Sequence, residues 1–92
     1  MSRRSFSEGG PPDMKYVYIL QSEVDPSRYY VGLTHDPARR LADHNAGKSI
    51  HTNKFKPWKT IVEIGFDDPT KAAEFESYLK SGPGRAFAKK HF

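Results

Sequence analysis

The pattern of apolar and polar residues predicts three β-strands. From Lys15 to Gln21 apolar side chains fall on both faces, which is typical of a central strand. An aromatic and β-branched stretch from Tyr29 to Thr34 follows a turn-rich segment, so an antiparallel hairpin is the simplest connection. The stretch from Lys59 to Phe66 predicts a third strand that completes a small sheet.

Helices are predicted where an Asp-Pro pair supplies an N-cap acceptor and a proline at the first helical position. Asp36-Pro37 begins a helix that runs to about Ala46, and Asp68-Pro69 begins one that runs to about Lys80. After Gly82-Pro83-Gly84, a short basic helix is expected from Arg85 to the C-terminus. The predicted fold class is α+β: a three-stranded antiparallel sheet flanked by helices, in the order β-β-α-β-α, with a short C-terminal helix.

The length of 92 residues predicts one compact domain. Residues 1–13 are rich in Ser, Gly, Pro and Arg and are expected to form a disordered tail, which leaves residues 14–92 as the folded unit. The absence of cysteine excludes disulfides, thiolate zinc sites and cysteine nucleophiles. No apolar run approaches the roughly 18 residues of a membrane span, so a cytoplasmic protein without membrane contact is expected.

Basic residues are concentrated in two stretches that contain no acid, from His44 to Val62 and from Ser77 to Phe92, and the net charge is +4. This distribution predicts a positive face that binds a polyanion, with nucleic acid as the leading candidate. A solvated basic surface is the alternative interpretation.

Several chemically capable side chains are expected to converge at one place. Tyr18 and Tyr30 lie on the two strands of the hairpin, and Arg40 and His44 are four residues apart on the helix that follows, so they share one face. Glu76 lies beside the apolar stripe of the second helix. Burial of a carboxylate is costly without a partner, so a functional role is suggested. Phenols, a guanidinium, an imidazole and a carboxylate together suggest a site that handles protons and anions.

The order of these residues resembles that of the GIY-YIG nuclease family. Tyr16-Val17-Tyr18 stands where the family has Gly-Ile-Tyr, and Tyr30-Val31-Gly32 where it has Tyr-Ile-Gly. The family's helical Arg and following His match Arg40 and His44, and its later glutamate matches Glu76. The chain is thus similar to a small stand-alone member, comparable with the N-terminal catalytic domain of the UvrC excinuclease subunit.

The resemblance implies divalent-metal-dependent hydrolysis of DNA phosphodiester bonds. Tyr18 would take a proton from water, for which Arg40 or His44 would have to favour the phenolate. Arg40 would bind the scissile phosphate through its planar fork, and Tyr30 would shape the pocket. Glu76 would hold one Mg²⁺ or Mn²⁺, and one carboxylate suffices because magnesium keeps several waters.

Further contacts to the DNA backbone are expected from basic residues outside this cluster. They are Arg39, Lys48, Lys54, Lys56, Lys59, Lys80 and Arg85. The loops carry no readable base code, so the expected substrate is branched, nicked or single-stranded DNA recognised by its shape. A partner protein could direct the chain to its substrate, and a monomer or weak dimer is expected.

The resemblance covers about residues 14–79 and has two departures. Val31 in place of isoleucine is a mild change in a strand, whereas Tyr16 in place of glycine adds bulk and is expected to narrow the entrance of the site.

Each of these side chains also has a plainer explanation. Arg40 could form a surface ion pair with Asp43, and Glu76 could pair with Lys80 one turn away. Two other classes of function therefore stay open: a nucleic-acid-binding module with little or no intrinsic cleavage, and a protein-interaction domain.

Overall fold

The computed structural model describes residues 14–92, so the predicted tail lies outside the described residues. Three antiparallel strands form one sheet in the order β2-β1-β3. They are β1 (Lys15–Ser22), β2 (Tyr29–Thr34) and β3 (Trp58–Phe66). The prediction that the first strand is central is confirmed, because β1 pairs with both of its neighbours along its length.

Three α-helices and a short 3₁₀ turn complete the fold, and the predicted α+β class and element order are confirmed. Asp36 and Asp68 cap the first two helices, as predicted, by accepting hydrogen bonds from backbone N–H groups in the first turn. The helices are α1 (Pro37–Asn45), α2 (Pro69–Leu79) and α3 (Gly82–His91), and the 3₁₀ turn spans Asn53–Phe55. None of the helices in this part of the chain is long and apolar enough to span a membrane.

The predicted start of the last helix at Arg85 is wrong, because Gly82-Pro83-Gly84 forms the first turn of α3. The Ser81 hydroxyl accepts a hydrogen bond from Gly84 N–H and caps the helix. A Cβ atom on Gly84 would collide with the backbone carbonyl of Tyr78, so this glycine permits the close packing of α3 on α2. Glycine and proline are rare in helix interiors, but in the first turn of a helix neither is costly.

The alternation of side chains along β1 divides the apolar interior between the two faces of the sheet. Val17 and Ile19 pack with α2 and α3 on one face. Tyr18 and Leu20 pack on the other face with Trp58 and with Leu41 of α1. Helix α1 and its following loop therefore cover the same face as Tyr18.

Candidate active site

Tyr18 is almost fully buried, and its ring crosses the neighbouring edge strand. Tyr18 pairs directly with Gly32 of β2. A Cβ atom on Gly32 would overlap the Tyr18 phenol and would lie 2.7 Å from its Cε1 atom. The glycine is therefore required because the tyrosine ring lies over the backbone at this position.

His44 is fully buried at the end of α1 and contacts Tyr18 directly. Its Nε2 atom lies 2.9 Å from the Tyr18 hydroxyl oxygen, and its Nδ1 atom lies 2.7 Å from the Thr52 hydroxyl oxygen. Both ring nitrogens are thus hydrogen-bonded. The phenol, the imidazole and the threonine hydroxyl form one buried chain.

Tyr30 completes an aromatic group around this chain. Its ring centroid lies 4.9 Å from that of His44 and 6.2 Å from that of Tyr18. Tyr30 pairs with Leu20, so it occupies the same face of the sheet as Tyr18. The structure therefore brings together the two tyrosines and the histidine that the sequence singled out.

Arg40 lies at the rim of this group, on the helix turn before His44. Its guanidinium is 3.7 Å from the Asp43 carboxylate, and its side chain is 37% exposed. Arg40 also lines a surface cleft of about 180 Å³, together with Thr34, His35, Asp36, Arg39 and Asp43. The ion pair leaves guanidinium surface open to an anion, and Arg39 borders the same cleft.

Glu76 lies on α2, which packs on the face of the sheet that carries Val17 and Ile19. Its Oε2 atom lies 2.7 Å from Lys80 Nζ, and its side chain is 17% exposed. Burial is the main cause of the raised pKa of Tyr18, and the negative charge of Glu76 adds a smaller increase. The described residues contain no group of three or more potential metal-ligating side chains. A lone carboxylate with hard oxygen donors fits a magnesium ion that keeps most of its waters.

Burial raises the pKa of the Tyr18 phenol above its ordinary value, and the nearby Tyr30 adds to the increase. The positive charge of Arg40 opposes this effect but does not reverse it. The free protein therefore holds Tyr18 as a neutral phenol at neutral pH. A role as base requires that the phenol first lose its proton.

Burial lowers the pKa of His44 below its ordinary value, and the Arg40 charge acts in the same direction against the weaker opposing charge of Asp43. The imidazole is therefore neutral at pH 7 and carries one N–H.

We expect His44 to make the fold sensitive to acid. Because its pKa is lower in the folded state, its contribution to stability is present above about pH 6.5 and is lost as pH falls through the folded pKa. The groups that face it are Tyr18, Tyr30, Thr52, Arg40 and Asp43. Urea unfolding from pH 8 to pH 5 should show a steeper loss in wild type than in His44→Gln. The matched variant of the exposed His51, His51→Gln, should keep the wild-type slope; equal slopes in all three proteins would contradict the assignment.

The residues predicted to bind nucleic acid divide into three groups. Arg39 and Lys48 lie close to Arg40, since Lys48 pairs with Asp43 at 3.7 Å. Lys80 lies beside Glu76. Lys54, Lys56 and Lys59 are exposed in or next to the segment that leads from α1 to β3, and Arg85 is exposed on α3, where no contact joins it to the site.

Sequence reasoning missed two residues that hold the site in place. Thr52 lies in a polar segment between α1 and β3, yet it is fully buried against His44. Asn45 is the last residue of α1, and its side-chain amide accepts a hydrogen bond from the Trp58 backbone N–H at 2.6 Å and donates one to the Trp58 carbonyl at 3.0 Å. A polar residue in a polar loop gives no periodic signal that would have shown this burial.

Tyr16 lies on the same face of β1 as Tyr18 but leans the opposite way. A Cβ atom on Gly65 of β3 would lie 2.8 Å from the Tyr16 ring, whereas Tyr18 leans over β2. The bulk that replaces the family's glycine is therefore placed over the other edge strand.

Comparisons with known proteins agree with this geometry. The family model described as "GIY-YIG catalytic domain" matches residues 14–88. The chain is 42% identical over 73 residues to "Structure-specific endonuclease subunit SLX1" of Scheffersomyces stipitis, covering 71% of this chain and 21% of that protein. It is 33% identical over 75 residues to the Giardia intestinalis homologue, covering 77% of this chain and 21% of that protein. The chain thus spans about a fifth of the length of these relatives.

Proposed function

Because this chain belongs to the GIY-YIG family, we propose that it is a divalent-metal-dependent endonuclease that hydrolyses phosphodiester bonds in DNA. The observation that carries this proposal is the convergence on Tyr18. His44 contacts its hydroxyl, and the charges of Arg40 and Glu76 both act on its pKa. A phenol that can act as base, a permanent cation for the phosphate and a carboxylate for a divalent ion are groups that serve the hydrolysis of a phosphodiester.

In the proposed reaction the Tyr18 phenolate accepts a proton from water as the water oxygen attacks phosphorus. The bond from phosphorus to the leaving oxygen breaks, and that oxygen takes a proton from solvent. Arg40 donates hydrogen bonds to the non-bridging oxygens of the phosphate. Because burial holds Tyr18 neutral in the free protein, the charge of Arg40 and the contact with His44 must favour the phenolate during turnover.

Glu76 would hold a single Mg²⁺ or Mn²⁺ by a carboxylate oxygen. When bound, the ion supplies charge stabilisation to the phosphate and the departing oxygen. Lys80 now pairs with that carboxylate, so its ammonium would have to withdraw as the ion enters.

The relatives' names support a structure-selective substrate and a partner protein. The Scheffersomyces protein is named as a subunit of a structure-specific endonuclease, and the Giardia protein is named as a homologue of that subunit. We therefore propose branched, flapped or nicked DNA as the substrate, recognised by backbone shape, and a partner that positions it. DNA repair is the process that fits such a substrate, and the cytoplasm remains the proposed location.

Parallel binding and cleavage assays test the proposal against its alternative, a module that binds nucleic acid without cutting it. Wild-type protein in excess should cut at least one branched or flapped DNA with Mg²⁺ or Mn²⁺, and EDTA should stop the reaction without releasing the DNA. Binding without cleavage on every substrate would favour the alternative. Affinity that does not weaken as salt rises would favour the protein-interaction domain.

The rate of the chemical step should rise with pH. The pKa of Tyr18 lies above about 10, so the phenolate fraction grows about tenfold per pH unit in the neutral range. The other groups that face the phenol are Tyr30, Arg40, Glu76 and His44. Single-turnover rates with Mg²⁺ from pH 6.5 to 8.5 should therefore give a slope approaching 1 in log rate against pH. A flat or falling profile would contradict the base assigned to Tyr18.

The exposed lysines after α1 should contribute to affinity through the phosphates alone. Replacing Lys54 and Lys56 together with alanine should reduce the slope of log K against log salt by about 2, because each lost phosphate contact removes about 0.9. The matched control is Lys71→Ala, an exposed lysine of α2 outside the predicted set. If the double variant keeps the wild-type salt slope, these lysines do not contact DNA.

A further inference from the structure

Within the part of the chain that the structure describes, the Thr52 side chain has a single hydrogen-bond partner. The residue is fully buried in the segment between α1 and β3. Within residues 14–92, the only group that its hydroxyl contacts is Nδ1 of His44, at 2.7 Å. The direction of this one hydrogen bond therefore decides which ring nitrogen of His44 carries the proton.

Two assignments of the hydrogens are possible for a neutral imidazole. If His44 Nδ1–H donates to Thr52, the threonine's own hydrogen has no acceptor in a place with no solvent exposure, which is costly. If Thr52 O–H donates to Nδ1, then His44 Nε2–H donates to the Tyr18 oxygen, 2.9 Å away. The hydrogen left without a protein acceptor then belongs to Tyr18.

Tyr18 can better tolerate that arrangement than Thr52. Tyr18 keeps 3% of its surface exposed whereas Thr52 keeps none, and Tyr18 lies beside Arg40, where the phosphate is expected to bind. The Tyr18 hydroxyl hydrogen can therefore be donated to water or phosphate, whereas the Thr52 hydroxyl hydrogen has no such acceptor. The burial difference favours the second assignment.

We propose that Thr52 is a positioning residue that fixes His44 in the Nε2–H tautomer, so that the imidazole donates a hydrogen bond to the Tyr18 oxygen. A donor on that oxygen stabilises the phenolate and leaves the phenol's own proton free to depart. This inference rests on the proposed function for its catalytic consequence, but the tautomer itself is a property of the free protein.

The position of Thr52 is fixed by the segment around it. Trp58 Nε1–H donates to the Thr52 carbonyl at 2.9 Å. Trp58 is in turn held by Asn45, whose side chain bonds both of its backbone groups. Thr52 thus links the last turn of α1 to the start of β3, and these bonds hold its backbone next to His44.

The tautomer can be measured directly by ¹⁵N NMR of the histidine rings in wild-type protein at pH 8, with the His44 signals identified by their loss in His44→Gln. The proposal expects a protonated Nε2 and an unprotonated Nδ1. A protonated Nδ1 would overturn it. This readout needs no substrate and no metal, so it decides the tautomer even if the protein fails to cut DNA.

The catalytic consequence is tested with Thr52→Val, which replaces the hydroxyl by a methyl group of similar size. Single-turnover rates should fall by about 10- to 100-fold, as when other outer hydrogen-bond partners are lost, while affinity for DNA stays unchanged. Thr52→Ser keeps the hydroxyl and should restore most of the rate. Thr60→Val, a threonine of β3 outside the hydrogen-bonded chain, controls for the substitution itself. A wild-type rate in folded Thr52→Val would overturn the positioning role.

Discussion

Glu76→Gln should lower the single-turnover rate of DNA cleavage by about three orders of magnitude, a loss of about 4 kcal/mol of transition-state stabilisation. The substitution keeps the shape of the side chain but removes the charge that a hard divalent ion requires. Affinity for DNA should not fall, because the change removes a negative charge from a surface that binds a polyanion. The rate should be measured with enzyme in excess over DNA, so that binding does not limit it.

Glu74→Gln is the matched control for this variant. Glu74 lies on the same helix and is exposed, so its loss changes the net charge equally and should leave the rate unchanged. Lys80→Gln separates the ion pair from the metal role, because it frees the Glu76 carboxylate without removing it. If Glu76→Gln cuts DNA as fast as Glu74→Gln, Glu76 does not hold the metal.

Tyr18→Phe should reduce the cleavage rate by about 10²- to 10⁴-fold, the usual contribution of a positioned acid or base. The ring that lies over Gly32 is kept, so the packing of the sheet should persist. The loss of one buried hydrogen bond to His44 should lower the free energy of unfolding by about 1 kcal/mol. The dependence of the residual rate on pH should also become flatter than in wild type.

The matched control is Tyr29→Phe, which removes a hydroxyl from an exposed tyrosine of the same strand pair. Within residues 14–92, the hydrogen-bond partner of its hydroxyl is Gln21, which lies three residues from Tyr18 along β1. Tyr29→Phe should cut at the wild-type rate. A Tyr18→Phe protein that is folded and equally active would mean that another group accepts the proton.

Much of the fold could be predicted because its signals are local. The unbroken apolar run of β1 indicates a strand buried on both faces, and the two Asp-Pro pairs mark helix starts by a hydrogen bond made within one turn. The i, i+4 spacing of Arg40 and His44 likewise places both on one helix face without knowledge of the rest of the chain. Each of these features depends on a few residues that are close together in the sequence, so each can be predicted without the three-dimensional structure.

The contacts that were not predicted join segments that are distant in the chain, or segments without a periodic pattern of apolar residues. The ring of Tyr18 lies over Gly32 because β1 and β2 are paired in one particular register. Thr52 is buried because the polar segment after α1 folds back on His44. Neither a threonine nor a histidine predicts such a contact by its residue type. The predicted start of α3 was wrong because the reason for a glycine at position 84 is a long-range one: the backbone carbonyl of Tyr78 in α2 lies where a Cβ atom would be.

The position of a bound manganese ion tests the central claim, that Glu76 turns a buried cluster of tyrosine, histidine and arginine into a hydrolytic site. Crystals soaked in Mn²⁺ should show one anomalous peak within coordination distance of a Glu76 carboxylate oxygen, on the side that faces Tyr18 and Arg40, with Lys80 withdrawn from the carboxylate. A peak elsewhere in the protein, with the ion pair between Glu76 and Lys80 intact, would contradict the account.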